Sequence, residues 1–432
     1  MLQADGSISY LRPMANGLNL ASWLTAKRLR AQGLVLALCS WSIYVWDISG
    51  PRLRDRYGLL KGTDFVHLYT LGSLALTHRG ANLYDMQFQA ALVQQRIPGA
   101  ADIVYLPVYP PQVSIFFAPL AGLSYDWALF IWLTVSTVIY AYSCYAVWRV
   151  CPNLRDEKFT IFILAAAYPA FFHLILWGQT SALALACFTL ACFALRAENY
   201  FLAGIAFGAL AFKPQLGLVA AIVFIAMRNW TLIAGAILSA AAQFVVAWLY
   251  FGLDPLRQWL RMLHHVPRAL ALLEPRPYQT HSLFAFWSML VPSPTVSLVL
   301  YMVSAAFVLA LLILCWRSQL SLGIRYSALL IATMLVAPHL TVYDLVILAP
   351  AFLLLGDWIV ANRHHHLTLR LAALLYLVYL LPLVAPPARW THLQLSVLAM
   401  SAIIWTLWQL AKTSVPELHK RTAWSQDIYR FL

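Results

Sequence analysis

Asp64 is the residue that the sequence best places for chemistry. It stands in Gly62-Thr63-Asp64-Phe65, shortly after the first apolar stretch. A carboxylate at the mouth of a membrane bundle can meet both a water-borne hydroxyl and a lipid-borne leaving group, so it could act as a general base. The alternative is that Asp64 only caps a helix that begins after Thr63. Few other acids are expected on the same outer surface.

Cations that could neutralise a phosphate follow in the later outer segments. Arginine and histidine bind phosphate through charge-assisted hydrogen bonds. Their grouping around Tyr278 and Gln279 predicts a donor-phosphate site, although each could instead contact a lipid head group. The candidates are Arg261, Arg268, Arg276, His281 and His339.

Lys213-Pro214 interrupts the apolar run from Phe201 to Met227. A lysine within a span is costly unless it snorkels, pairs with an acid or faces an aqueous cavity. The proline would break the helix and could turn the ammonium toward such a cavity. A role in the site and plain snorkelling both stay open.

Polar residues at predicted helix junctions complete the candidate set. Gln179 lies in Trp177-Gly178-Gln179-Thr180, where a junction cap is the alternative. His339 and Asp344 lie in a break from Pro338 to Asp344 and are expected to line the cavity mouth. Further candidates for the substrate cavity are His67, Tyr84 and Tyr109. The triplet His364-His365-His366 is expected to be solvated and not to bind a metal. No organic cofactor is predicted either.

Composition places these residues in a membrane protein. The chain has 432 residues, of which 62% are hydrophobic and 10% charged, with a mean hydropathy of +0.73. That leaves too little polar surface for a water-soluble globule. The net charge of +13 is scattered over loops and tails, which favours anionic lipid over nucleic acid as its partner.

The apolar runs predict an all-α bundle of about twelve spans in a single domain, residues 1–432. Basic residues before the first run, without a cleavage pattern, indicate a retained signal anchor and a cytoplasmic tail over 1–30. Outer loops are expected over 47–110, with an interfacial helix after Asp64, and over 252–281; a second cytoplasmic tail covers 411–432. The basic residues near 149–158 leave the topology of 111–230 open. The spans are expected near 34–46, 111–123, 127–148, 159–176, 180–195, 201–227, 231–251, 295–315, 325–337, 344–360, 370–385 and 393–410.

The order of these features resembles the polyprenyl-phosphate-sugar-dependent membrane glycosyltransferases, which include the bacterial α-mannosyltransferases of phosphatidylinositol-mannoside synthesis. The resemblance covers about residues 60–360. It rests on Gly62 to Asp85, Tyr109-Pro110-Pro111 with Pro119-Leu120, Gly178-Gln179, Gly204 to Pro214 and Pro338 to Asp344.

The resemblance implies a C-type glycosyltransferase fold, with Asp64 as the base and inversion at the transferred sugar. It also implies a polyprenyl-phosphate sugar donor and a glycolipid or glycan acceptor at the outer, periplasmic face of the cell membrane. His339 and Lys213 match positions near the donor phosphate. Mannose is the first candidate sugar and arabinofuranose the second, while glucose and galactose stay open. No second acid follows Asp64 directly, so a metal-bridging pair of acids has little support.

Two other functions fit the same composition. A transporter or lipid flippase would show paired broken helices in two halves and acids at the bilayer midplane, whereas the acids here lie mostly near the predicted edges. A ligase that transfers a whole oligosaccharide would differ only in donor size.

Overall fold

The computed structural model describes residues 25–97, 100, 105–265, 276–384 and 387–413. Regular structure within these ranges is helical, apart from two isolated β-bridges, which confirms the all-α prediction. Arg268, residues 1–24 of the predicted cytoplasmic N-tail and the predicted C-tail beyond residue 413 lie outside the described residues.

The first half of the chain forms mostly short helices around two long ones. They are α1 (Ala26–Ile48), α2 (Thr63–Leu76), α3 (Met86–Arg96), α4 (Gln112–Ala121), α5 (Tyr125–Arg149), α6 (Lys158–Ala167), α7 (Pro169–Trp177), α8 (Ser181–Arg196), α9 (Tyr200–Gly208) and α10 (Pro214–Ala226).

The second half contains three longer helices and several short ones. They are α11 (Trp230–Phe251), α12 (Asp254–His265), α13 (Leu283–Leu290), α14 (Pro294–Arg317), α15 (Leu322–Val336), α16 (Ala349–Ala361), α17 (Thr368–Leu380), α18 (Ala388–Thr391) and α19 (Leu395–Thr413). A 3-10 segment, Val342–Leu348, leads into α16.

Six helical segments of the described chain are long and apolar enough to cross a membrane. A seventh is formed if α6 and α7, bent by 44° at their junction, are counted as one span. These helices confirm a polytopic helical membrane protein. The count of twelve spans stays a prediction, because the remaining apolar helices have only 10–17 residues.

Helix α2 occupies the place of the predicted interfacial helix, but it is covered by protein. Every residue from Phe65 to Ala75 is buried, and Gly72 lies against the backbone of Phe117 in α4. The hydroxyls of Thr70 and Ser73 donate hydrogen bonds to backbone carbonyl oxygens within α2. Internal bonding lets this helix enter the core, while its place along the membrane interface stays a prediction.

The predicted break at Lys213-Pro214 is confirmed. Helix α9 ends at Gly208, a 3-10 turn follows over Ala209–Phe212, and α10 begins at Pro214, where a missing N–H leaves no helical bond unmade. Close packing fixes the preceding helix: a Cβ atom on Gly204 would lie 2.0 Å from the carbonyl oxygen of Leu232 in α11. This packing holds the broken end, and with it Lys213, in one place.

Candidate functional site

A cavity of about 1100 Å³ lies where the interrupted helices end. Asp64, Gln179, Lys213, Arg276 and His339 all line it, although they come from five separate parts of the sequence. The fold therefore gathers the predicted base and three of the candidate cations, Lys213, Arg276 and His339, in one place. A cavity of this size can hold a ligand larger than a single sugar.

Asp64 stands in the first turn of α2 and is half-buried. Its Oδ2 atom accepts a hydrogen bond of 2.8 Å from Nε2 of Gln179. The helix is capped by Gly62 in a left-handed conformation, with φ of 65°, so the alternative that Asp64 is the N-cap is wrong. The carboxylate is free to face the cavity.

Two glycine turns bring Asp64 and Gln179 together. Gly178 ends α7 with φ of 70°, and a Cβ atom there would lie 2.8 Å from Cβ of Phe65 and 3.7 Å from Cα of Gly62. Only glycine permits both this backbone conformation and this approach. The indole N–H of Trp132 fixes the turn at Gly178 by donating to the carbonyl oxygen of this glycine at 2.8 Å.

The pKa of Asp64 is raised from 3.8 to about 6, first of all by burial. The hydrogen bond from Gln179 and the positive charge of Lys213 act in the opposite direction and limit the rise. Asp64 is therefore ionised at neutral pH, yet more basic than an exposed aspartate. Both properties suit a general base.

The orientation of the Gln179 amide is fixed by its neighbours. Its Oε1 accepts from the hydroxyl of Tyr109 and from the backbone N–H of Thr180, each at 3.1 Å, which leaves the amide N–H groups for Asp64. Tyr84 donates to the carbonyl oxygen of Tyr109 at 3.0 Å. Tyr109 lines the cavity, whereas Tyr84 supports it from behind.

Lys213 forms a buried ion pair and does not snorkel to the surface. Its Nζ lies 2.8 Å from Oδ1 of Asp344 and 3.3 Å from Oγ of Ser181. The Ser181 hydroxyl also donates to Asp344 at 2.5 Å. Asp344 is buried behind Lys213, so its predicted place at the cavity mouth is wrong; the carboxylate neutralises an ammonium that would otherwise be unpaired.

Arg276 and His339 are placed on the cavity wall by two paired segments. Thr280 and Thr341 form an antiparallel bridge that joins these segments. Gln394 holds the first of them, because its Nε2 donates to the carbonyl oxygens of Tyr278 at 2.7 Å and Thr280 at 2.8 Å. Two basic residues from distant parts of the sequence thereby share one wall.

His281 is on the same segment but away from the cavity. Its side chain is fully buried, with Nδ1 2.6 Å from Oγ of Ser396. Burial lowers its pKa to about 3, so the ring is neutral at physiological pH. The structure therefore does not place His281 to bind a phosphate, contrary to the expectation from the sequence.

His67 lines the cavity one helical turn beyond Asp64. Its ring lies 5.0 Å from the ring of Tyr105 and 5.8 Å from that of Tyr109. Neither ring nitrogen has a hydrogen-bond partner among the described residues, and burial lowers the pKa to about 3. A neutral imidazole with unmade bonds is suited to a ligand hydroxyl.

Sequence reasoning missed three residues of this site. Ser181 could have been found, because it ends a polar run between two apolar helices. Tyr343, whose ring lies 5.4 Å from Nζ of Lys213, and Gln394 carried no such signal. Arg261 is exposed on α12, which instead contributes Trp259 and Leu263 to the cavity wall.

Comparison with known proteins gives a match to a family model. Residues 108–338, more than half of the chain, match the family model of glycosyltransferase family 87. No curated protein and no solved structure matches the chain significantly. The matched range includes Gln179, Lys213 and Arg276, and it ends one residue before His339. The chain belongs to glycosyltransferase family 87.

Proposed function

We propose that the protein transfers a single sugar, with mannose as the first candidate, from a polyprenyl-phosphate sugar to a lipid or glycan hydroxyl. The reaction takes place at the outer face of the cell membrane. One observation carries the proposal: Asp64 shares a cavity in a membrane bundle with Lys213, Arg276 and His339. This combination offers a base for the acceptor and cations for the leaving phosphate.

In the proposed reaction the acceptor oxygen attacks the anomeric carbon while Asp64 takes its proton. The bond between that carbon and the phosphate oxygen breaks, and the polyprenyl phosphate leaves with the electron pair. Attack opposite the leaving group inverts the anomeric configuration. The charged groups of the cavity mainly orient the reactants and stabilise the developing phosphate charge.

Separate residues would serve the two sides of the reaction. Arg276 can bind phosphate oxygens through two N–H groups at once, and His339 adds a second basic group on the same wall. Lys213 supplies a charge held in place by Asp344. His67 offers its ring nitrogens to a hydroxyl of the transferred sugar.

The cavity wall also supports a lipid donor. Ile43, Phe130, Leu133, Phe172 and Leu176 line it with apolar side chains. Ile43 and Phe130 are also more than half exposed on the outside of the described bundle, so the apolar lining continues to its outer surface. An isoprenoid chain could therefore stay in the bilayer while its phosphate enters the cavity.

The proposal includes a bundle of twelve membrane segments with both tails in the cytoplasm. Each range expected from the sequence contains a described apolar helix, provided that the bent pair α6–α7 and the helices on either side of Lys213 are each counted as one segment. Basic residues in the terminal segments support this orientation.

The proposed function is tested with the purified chain in lipid nanodiscs. The samples receive polyprenyl-phosphate mannose, arabinofuranose, glucose or galactose together with a bacterial lipid extract, and the products are weighed by mass spectrometry. We expect a new glycolipid heavier by one sugar. Addition of a whole oligosaccharide would instead identify a ligase, and donor movement across a vesicle without a new glycosidic bond would identify a transporter.

The pH dependence of transfer follows from the pKa of Asp64. Because the base must be ionised, kcat/KM is expected to rise with pH to a plateau, with a midpoint near 6. Gln179→Leu removes a hydrogen bond that lowers this pKa, so the midpoint should move to higher pH. The measurement is a kcat/KM profile from pH 4.5 to 8.5 for both proteins.

A matched control is Gln243→Leu, which removes a similar amide whose Nε2 donates to the backbone carbonyls of Gly208 in α9 and Ser239 in α11. Its profile should coincide with that of the unchanged protein. If the midpoint of the pH profile were the same in Gln179→Leu as in the unchanged protein, the rise of kcat/KM with pH could not be assigned to ionisation of Asp64.

A further inference from the structure

Three more carboxylates line the cavity, although the sequence suggested few other acids on this surface. Asp47 ends α1, Asp55 lies in the turn that follows, and Asp126 stands in the first turn of α5. None of them belongs to the mechanism proposed above. Their presence in the same cavity needs a separate account.

Asp47 carries the strongest signal of an unfilled site. Its side chain is only 6% exposed, yet Oδ1 has no hydrogen-bond partner in the part of the chain that the structure describes. Leaving a buried carboxylate oxygen without a donor is costly. A ligand that brings hydroxyl donors to this wall would remove that cost.

Asp55 is held in a fixed position beside Asp47. Its Oδ1 accepts from the backbone N–H groups of Tyr57 at 2.9 Å and Leu59 at 2.8 Å. The same turn folds back on α1, because the backbone N–H of Arg56 donates to the carbonyl oxygen of Asp47 at 3.0 Å. The second oxygen of Asp55 is therefore presented from a rigid turn.

One cation of the cavity, Lys61, follows the same turn, where its Nζ is held by the carbonyl oxygens of Gly50 at 3.0 Å and Arg52 at 2.6 Å. The charged groups that act on Asp64 are Lys213, Asp344 and His339, which come from later parts of the chain. The donor phosphate is proposed to bind the cations from these later parts, which leaves the three carboxylates to a ligand that supplies hydroxyl donors.

We propose that Asp47, Asp55 and Asp126 form the acceptor subsite and bind a neutral, polyhydroxylated head group such as a sugar. This inference rests on the proposed function and names the acceptor class for it. Carboxylate oxygens accept hydrogen bonds from neighbouring hydroxyls, and the rings of Tyr44 and Tyr57, which line the same cavity, offer apolar faces. Asp64, which follows the acidic turn in sequence, would then receive the proton of one acceptor hydroxyl.

The subsite is tested by binding to the full chain in lipid nanodiscs, measured by calorimetry with the signal of empty discs subtracted. The probes are octyl mannoside, octyl mannoside 6-phosphate and octylammonium. We expect octyl mannoside to bind the unchanged protein more tightly than its phosphate. The paired change Asp47→Asn and Asp55→Asn should weaken octyl mannoside binding about tenfold, since two charged acceptors become neutral.

Asp156→Asn is the matched control, because Asp156 is exposed and does not line the cavity. Its binding should be unchanged. The Asn side chain of the Asp55 variant can still accept from the turn, and an unchanged melting temperature would show that the double variant is folded.

Three results would overturn the subsite. They are unchanged octyl mannoside binding in the folded double variant, tighter binding of the phosphate than of octyl mannoside, and loss of octylammonium binding alone, which would identify a cation site. Transfer is measured on the same samples. If the variants transfer sugar and bind octyl mannoside as the unchanged protein does, only the subsite is rejected. If octyl mannoside binding depends on Asp47 and Asp55 but no glycosidic product forms, the proposed function is rejected.

Discussion

Asp64→Asn is expected to lower kcat for sugar transfer about a thousandfold, because a neutral amide can accept a hydrogen bond but cannot take up the proton of the acceptor hydroxyl. The amide oxygen can still accept from Nε2 of Gln179, so the start of α2 and the glycine turns should keep their positions. The measurement is single-turnover transfer from a polyprenyl-phosphate sugar. The same samples should bind the donor with unchanged affinity.

Asp254→Asn provides the control for this prediction. Asp254 begins α12, and its ion pair with Arg257 is exposed. Its removal should leave kcat within about twofold, as expected for a surface pair. Near-normal turnover in Asp64→Asn would refute the role of Asp64 as the base.

Lys213→Met is expected to have the largest effect on stability. It leaves the buried carboxylate of Asp344 without its cation, and loss of one partner of a buried pair costs about 3–5 kcal/mol. The free energy of unfolding can be measured in nanodiscs or mild detergent by denaturant titration. Donor binding should also fall, since a cation of the proposed phosphate site is lost.

A double variant separates these two effects. Lys213→Met combined with Asp344→Asn buries no charge, and the Asn oxygen can still accept from the backbone N–H of Thr341 as Asp344 does. Most of the lost stability should return, while donor affinity stays low. If donor affinity also returned to that of the unchanged protein, Lys213 would serve the fold alone.

The local features of the fold, such as helix starts and breaks, could be predicted from the sequence. The helix after Gly62, the start of a helix at Pro111 and the break at Lys213-Pro214 all follow from glycine, proline and apolar spacing. Hydropathy does not show where an apolar run bends inside the protein. The run near 159–176 therefore gave one predicted span where the structure has a bend of 44°.

Individual residues of the site could be predicted from the sequence, but the contacts between them could not. Asp64, Gln179 and Lys213 were found because each is a polar residue in an improbable setting. Lys213 pairs with Asp344, which lies 131 positions away in the sequence. Neither segment contains a pattern that predicts this contact. The placements of His281 and Asp344 failed for the same reason: loop polarity cannot tell which side chains turn inward.

The ion pair of Lys213 with Asp344 also has a consequence for biosynthesis. Ribosomes make the chain from the N-terminus, so Lys213 leaves the exit tunnel 131 residues before the carboxylate that neutralises it. Helix α10 would thus enter lipid with an uncompensated ammonium if it left the translocon at once. We therefore expect stable integration of this segment to follow the synthesis of α15 and of the segment that carries Asp344, so that the central helices assemble late and together.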